Sequence, residues 1–281
     1  MTVNSERSIL KKWDVTHQVR GAGHTQGWVL EPGHWYDFDP FLLMAEDWFK
    51  KGTFGFHPHK GMETVTYVID GELEHKDSHG GEGLLKAGDV QWMTAGQGIS
   101  HIEDPVVGSK VHSLQLWVNL SKVNKSASPR YQDLYKRNMP EIKEEGAIIR
   151  LFSGSYGKYQ AETLNYTPVT MIDFEVSLEK TIMPDIPKSY NGFIYILEGS
   201  GLFGKEEIKG VKNQVIWLGQ SDKQGGDSDV IRIKSTSEKL HGILLAGEPI
   251  KEQVVAHGPF VMNTEEEIRQ AFSDYHNGKF Q

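Results

Sequence analysis

Apolar residues along this chain come mainly in short runs closed by turn signals. Thr64-Val65-Thr66-Tyr67-Val68-Ile69 is rich in β-branched and aromatic residues and ends at Asp70-Gly71, a strong turn pair. Gly80-Gly81 and then Ala87-Gly88-Asp89 punctuate the following segments. Their spacing of roughly eight to ten residues suits a sandwich or barrel. Val111 to Leu120 predicts another long strand. Two segments carry a helical pattern instead. Ser128-Pro129 opens one, with serine as N-cap, proline in the first turn, and Tyr131, Leu134 and Tyr135 on one face. Near the C-terminus Thr264 and Glu267 have capping-box spacing, and Ile268, Ala271, Phe272 and Tyr275 recur at helical intervals. That stripe predicts a helix packed on a barrel wall.

The strand pattern repeats. Tyr67-Val68-Ile69-Asp70-Gly71 reappears as Tyr195-Ile196-Leu197-Glu198-Gly199, an offset of 128. Val90-Gln91-Trp92-Met93 reappears as Val215-Ile216-Trp217-Leu218, an offset of 125. Two similar strand-turn patterns in one order predict two β domains of the same kind. The division is a first domain over 1–125, a crossover over 126–160 carrying the short helix and Pro140, and a second domain over 161–281 with the C-terminal helix.

Composition narrows the function. The 30 glycines among 281 residues fit a turn-rich all-β fold, and 38% hydrophobic with 24% charged residues supports a packed core. A formal net charge of −8 recommends no nucleic-acid surface. With no cysteine, disulfides, zinc-thiolate sites, iron–sulfur clusters and cysteine nucleophiles are all excluded. The first residues contain no apolar signal core, and no apolar run approaches the roughly 20 residues of a membrane helix. The expectation is a cytoplasmic protein without membrane partners.

Two histidine motifs carry the chemistry. In Phe56-His57-Pro58-His59, an extended backbone puts His57 and His59 on one face with Cα atoms about 6.6 Å apart. Two imidazoles converging from one face suit a divalent first-row metal. Pro58 offers no N–H to a ladder, which places this strand at an edge. His101-Ile102-Glu103 repeats the spacing of two after the glycine-rich turn Thr94-Ala95-Gly96-Gln97-Gly98. Three neutral imidazoles and one carboxylate make a four-ligand set, and on an octahedral metal two positions would stay open for dioxygen, substrate or water.

These residues carry a family resemblance. His57-Pro58-His59-Lys60-Gly61-Met62-Glu63-Thr64-Val65-Thr66-Tyr67, Gly88-Asp89-Val90-Gln91-Trp92-Met93-Thr94-Ala95-Gly96 and His101-Ile102-Glu103 resemble pirin, of the cupin superfamily. The likeness extends, more loosely, to Gly258-Pro259-Phe260-Val261-Met262-Asn263-Thr264. It implies an all-β fold of two tandem cupin (jelly-roll) barrels. It also implies one divalent transition metal per chain, Fe(2+), held in the N-terminal barrel by His57, His59, His101 and Glu103. The implied activity is that of a quercetin 2,3-dioxygenase. A flavonol binds through its 3-hydroxyl, Glu103 takes the proton, dioxygen adds, and the ring opens with release of carbon monoxide. The alternative is non-enzymatic, because some pirins act as iron-dependent regulatory partners of transcription factors or metabolic enzymes.

Several neighbouring residues receive other roles. Strand parity from His59 points Glu63 at the metal, whereas counting back from Gly71 puts Thr64 at the usual cupin ligand position; Glu63 is therefore read as supporting or structural. Adding the repeat offsets to the four ligands lands on Asp185, Pro187, Gly226 and Ser228, so the second barrel is expected to hold no metal. His75 and His79, flanking Asp77 beside Gly80-Gly81, read as turn or surface histidines. Trp92, Met93, Leu116 and Trp117 could line a pocket but read as core. The serines lack a nucleophile elbow, and Gly199-Ser200-Gly201 is too short for a phosphate cradle.

Overall fold

A computed structural model describes residues 5–21, 23–219 and 226–280. Among them the chain is mostly strand, with α-helices at Trp35–Phe38 and Glu265–His276. None of the described helices is long and apolar enough to cross a membrane. The described residues divide into two compact units. One comprises 17–137, 165–167 and 250–280, and the other 5–16, 138–164 and 168–249.

In the first unit a seven-stranded sheet is built on Phe41–Lys50, Lys110–Asn119, Met62–Asp70 and Val90–Thr94. A four-stranded sheet runs from His57–His59 through Ile99–Pro105 and Glu72–Asp77 to Glu82–Lys86. Part of the interior is filled by Phe49, Val68, Leu73, Leu85 and Val111. His57–His59 stands at the edge of its sheet, the position that Pro58, lacking an N–H, requires.

The Ser128-Pro129 segment does not begin a helix. Arg130–Leu134 is a strand, paired residue for residue with Val90–Thr94. Three apolar positions cannot sustain a short helix alone, whereas an open sheet edge satisfies a backbone group at every other residue. The C-terminal helix is as expected. Thr264 and Glu267 form a reciprocal capping box, and Ile268, Ala271 and Phe272 pack with Phe260, Met262 and Phe280.

The second unit repeats the plan. Its seven-stranded sheet includes Val169–Ser177, Lys239–Gly247, Asn191–Glu198 and Gln214–Leu218. Its core is a continuous apolar cluster that includes Ile149, Ile172, Phe174, Ile194, Ile196, Ile216 and Leu244. The repeat is therefore structural: Met62–Asp70 and Asn191–Glu198 occupy corresponding places, as do Val90–Thr94 and Gln214–Leu218.

The units cross the sequence boundaries expected at 125 and 161. Ile9–Asp14 forms the edge strand against Gln214–Leu218 in the second unit, while 250–280, helix included, belongs to the first. The reason is edge coverage. Val90–Thr94 is covered by Arg130–Leu134, which follows it in sequence, and Gln214–Leu218 is covered by a strand from the other end of the chain.

Candidate metal centre

Antiparallel pairing of His57–His59 with Ile99–Pro105 sets His101 opposite His57 and Ile99 opposite His59. Strand alternation then aims all three imidazoles at one point. Ring centroids are 4.7 Å apart for His57–His101, 4.9 Å for His57–His59 and 5.0 Å for His59–His101. One nitrogen from each ring lies within 4.8 Å of the other two. His57 Nδ1 is 2.8 Å from the Gly55 carbonyl, so it carries the proton and leaves Nε2 as a lone-pair donor. His59 and His101 are buried, and among the described residues neither has a hydrogen-bond partner on either ring nitrogen. Burial holds both well below the usual imidazole pKa, and the neighbouring rings add to the effect. Such neutral, unpartnered nitrogens are what a metal ligand requires, and the donor set of imidazole and carboxylate fits a divalent first-row ion.

Glu103 is buried beside this trio, two residues beyond His101 on the same strand. Its carboxylate accepts from Thr66 Oγ1 at 2.7 Å and from Gln115 Nε2 at 2.7 Å. It is also within 4.8 Å of one nitrogen of His101 and one of His75. The three histidines thus form one cluster, and Glu103 stands in a second that shares His101.

Glu63 belongs to neither cluster. The chain breaks strand parity at Gly61, whose φ is +80° and where a Cβ would lie 1.9 Å from the Val261 carbonyl oxygen. After that break, Glu63 falls on the opposite face from Thr66, accepts from Thr94 Oγ1 at 2.7 Å, and has its carboxyl pushed up by burial. Parity counted from His59 fails here because the strand does not run through. His79 is in the expected turn, its N–H donating to Asp77 Oδ1. His75 is not a turn or surface residue: it lies in Glu72–Asp77 with no solvent exposure.

The site opens into a cavity of about 290 Å³, at the small end of the roughly 300–1,000 Å³ typical of small-molecule sites. His57, His59 and Glu103 line it together with Phe49, Phe54 and Trp117, and Gly258 and Pro259 contribute to the wall. Trp117 meets the His59 ring edge-on at 5.1 Å. Trp92, Met93 and Leu116 are buried outside this lining. Sequence reasoning missed Thr66, Gln115 and Asp47, which also face the cavity. Asp47 is buried, which pushes its carboxyl up, against a 2.8 Å contact with His24 Nε2. The available signal was a polar residue at an inward position of an otherwise apolar strand.

Residues 27–118 match the family described as Pirin, and 171–281 match the Pirin C-terminal cupin domain. Pirin-like protein 2 of Arabidopsis thaliana is 38% identical over 279 residues, covering 97% of this chain and 85% of that protein. A crystal structure from Geobacillus kaustophilus superposes with a TM-score of 0.87 at 49% identity, covering 90% of this chain and 100% of the other. A quercetin 2,3-dioxygenase structure from Acinetobacter baumannii gives 0.83 at 29% identity, covering 98% of each chain.

Proposed function

Because the chain belongs to the pirin family, we propose that it is a metal-dependent quercetin 2,3-dioxygenase, with one Fe(2+) held by His57, His59, His101 and Glu103. The carrying observation is the set of three converging imidazoles, two with no hydrogen-bond partner among the described residues, of which His57 and His59 line a cavity shared with Phe49, Phe54 and Trp117. The relative from Acinetobacter baumannii that bears this activity in its name supports the choice of substrate class. When bound, the metal would supply a Lewis acid and a site for dioxygen beside the substrate.

The protein's share is positioning and proton transfer. Phe49, Phe54 and Trp117 give a planar flavonol apolar faces to pack against. Glu103, besides ligating, takes the proton of the 3-hydroxyl. Its hydrogen bonds from Thr66 and Gln115 hold the carboxylate in one orientation. Proton removal leaves an electron-rich enolate beside the apolar rings of the cavity, and oxygenolytic ring opening with carbon monoxide release follows. Anaerobic loading with ferrous iron, addition of a flavonol, and admission of oxygen test this reading. The expected result is flavonol-dependent oxygen uptake with carbon monoxide formed in parallel. Absence of both from metal-replete protein across a flavonol panel would overturn it.

A further inference from the structure

We propose that His75 is a fifth donor of the metal centre, forming with His101 and Glu103 an inner three-donor position beside the outer histidine trio. The inference rests on the reading that His57, His59, His101 and Glu103 hold a metal. Pairing of Glu72–Asp77 with Ile99–Pro105 sets His75 directly opposite Glu103 and Asp77 opposite His101. The His75 ring is 5.3 Å from that of His101 and 5.0 Å from that of Tyr131, with no exposure to solvent. Neither of its nitrogens has a hydrogen-bond partner among the described residues. The nearest charge, Asp77 Oδ2, is 3.8 Å from Nε2, and the other Asp77 oxygen accepts from the backbone N–H groups of His79 and Gly81.

A fully buried imidazole with two unanswered nitrogens is a costly residue to keep for packing alone. A cation between His75, His101 and Glu103 would answer one of them, and the three donor atoms already lie within 4.8 Å of one another. Because both positions use His101, the centre takes one ion at a time. His75 therefore matters most when an outer ligand is missing.

The test uses cobalt(II) alone on the full chain, followed by visible absorption and by competition with a chelator. His57→Ala should bind one equivalent with an altered cobalt spectrum and about 10–100-fold lower affinity. Adding His75→Phe to His57→Ala should abolish binding, whereas His75→Phe alone should change affinity by less than about threefold, a strongly non-additive pattern. His75→Leu repeats the test with a different shape, and circular dichroism confirms that each variant is folded. The inner position is overturned if His57→Ala binds no cobalt, or if neither His75 substitution changes binding in the His57→Ala background. A His57→Ala protein that binds like wild type would instead overturn the outer set, leaving the inner position to stand or fall on the His75 variants alone.

Discussion

The two units share a strand plan and differ in what fills it. Pairing registers allow position-by-position comparison. Thr66, which faces Gln115, corresponds to Ile194, which faces Leu244. Asp47 and Ser113 face each other in the first unit, where the second has Phe174 and Gly242. Ile194, Leu244 and Phe174 all belong to the second unit's apolar core. Gly242 leaves room for that ring, since a Cβ there would lie 2.7 Å from Phe174 Cζ. The short strand Asp185–Pro187 stands where His57–His59 stands, and Pro187 pairs with Ser228 as His59 pairs with Ile99. By that register Val230 corresponds to His101. Glu103, which faces His75, corresponds to Ile233, which faces Phe203 and belongs to the apolar core. The comparison teaches that the same barrel becomes a solid core or a polar cavity through a handful of inward positions.

Five substitutions probe that contrast. The largest effect is expected at Glu103. Glu103→Gln keeps its shape but removes its charge, so flavonol-dependent oxygen uptake should fall by about 10²–10⁴ while a measurable fraction of the metal stays bound. Metal content and uptake must be read on the same sample, and full turnover in metal-replete protein would remove Glu103 as the base. Next, His101→Ala should weaken iron binding by at least about 10–100-fold. Val230→Ala, at the corresponding position of the other barrel, should leave it unchanged. Equal affinities in a chelator competition would break the comparison.

A smaller effect comes from making one barrel resemble the other. Gln115→Leu removes a hydrogen bond from the buried Glu103 and should cost about 1–3 kcal/mol of stability in calorimetry of the metal-free protein. A neutral result would mean that Glu103 finds another donor. A last probe concerns Lys125, whose buried ammonium donates to the carbonyls of Gly61 and Val261 and to Asn119 Oδ1. Burial lowers its pKa from 10.5 to about 7, against the pull of Glu252 and Glu267. Between those values the unfolded chain holds the proton and the folded chain does not. Stability should therefore be lowest below pH 7 and rise towards about pH 10.5. Lys125→Met should flatten that part of the melting-temperature profile, and an unchanged slope would assign it to other groups.

The legible parts of this molecule were those with local causes. His57, His59 and His101 were readable because alternation along short strands aims side chains without knowledge of distant partners. Pro58 announced an edge, and Thr264 with Glu267 announced a helix start, for equally local reasons. Features set by pairing were not legible. Arg130–Leu134 became a strand because Val90–Thr94 offered it an edge. His75 looked like a turn residue beside Gly80-Gly81, and only its register against Glu103 reveals its burial. Counting the repeat at an offset of 125 reached Gly226 and Ser228. The register gives 129, because four more residues lie between Trp217 and Ser228 than between their counterparts Trp92 and Ile99. Thr66 and Gln115 declare their role only when they are found against Glu103.

The central claim is that one barrel, and not its twin, holds the metal. Diffraction from crystals of the iron-loaded protein, collected on either side of the iron absorption edge, tests it most directly. The account predicts one anomalous peak per chain, within bonding distance of nitrogens of His57, His59 and His101 and of a Glu103 oxygen, at iron–ligand distances of roughly 2.0–2.2 Å. A peak among Asp185, Pro187 and Val230, or a peak away from the histidine trio in protein that carries a full equivalent of iron, would contradict it.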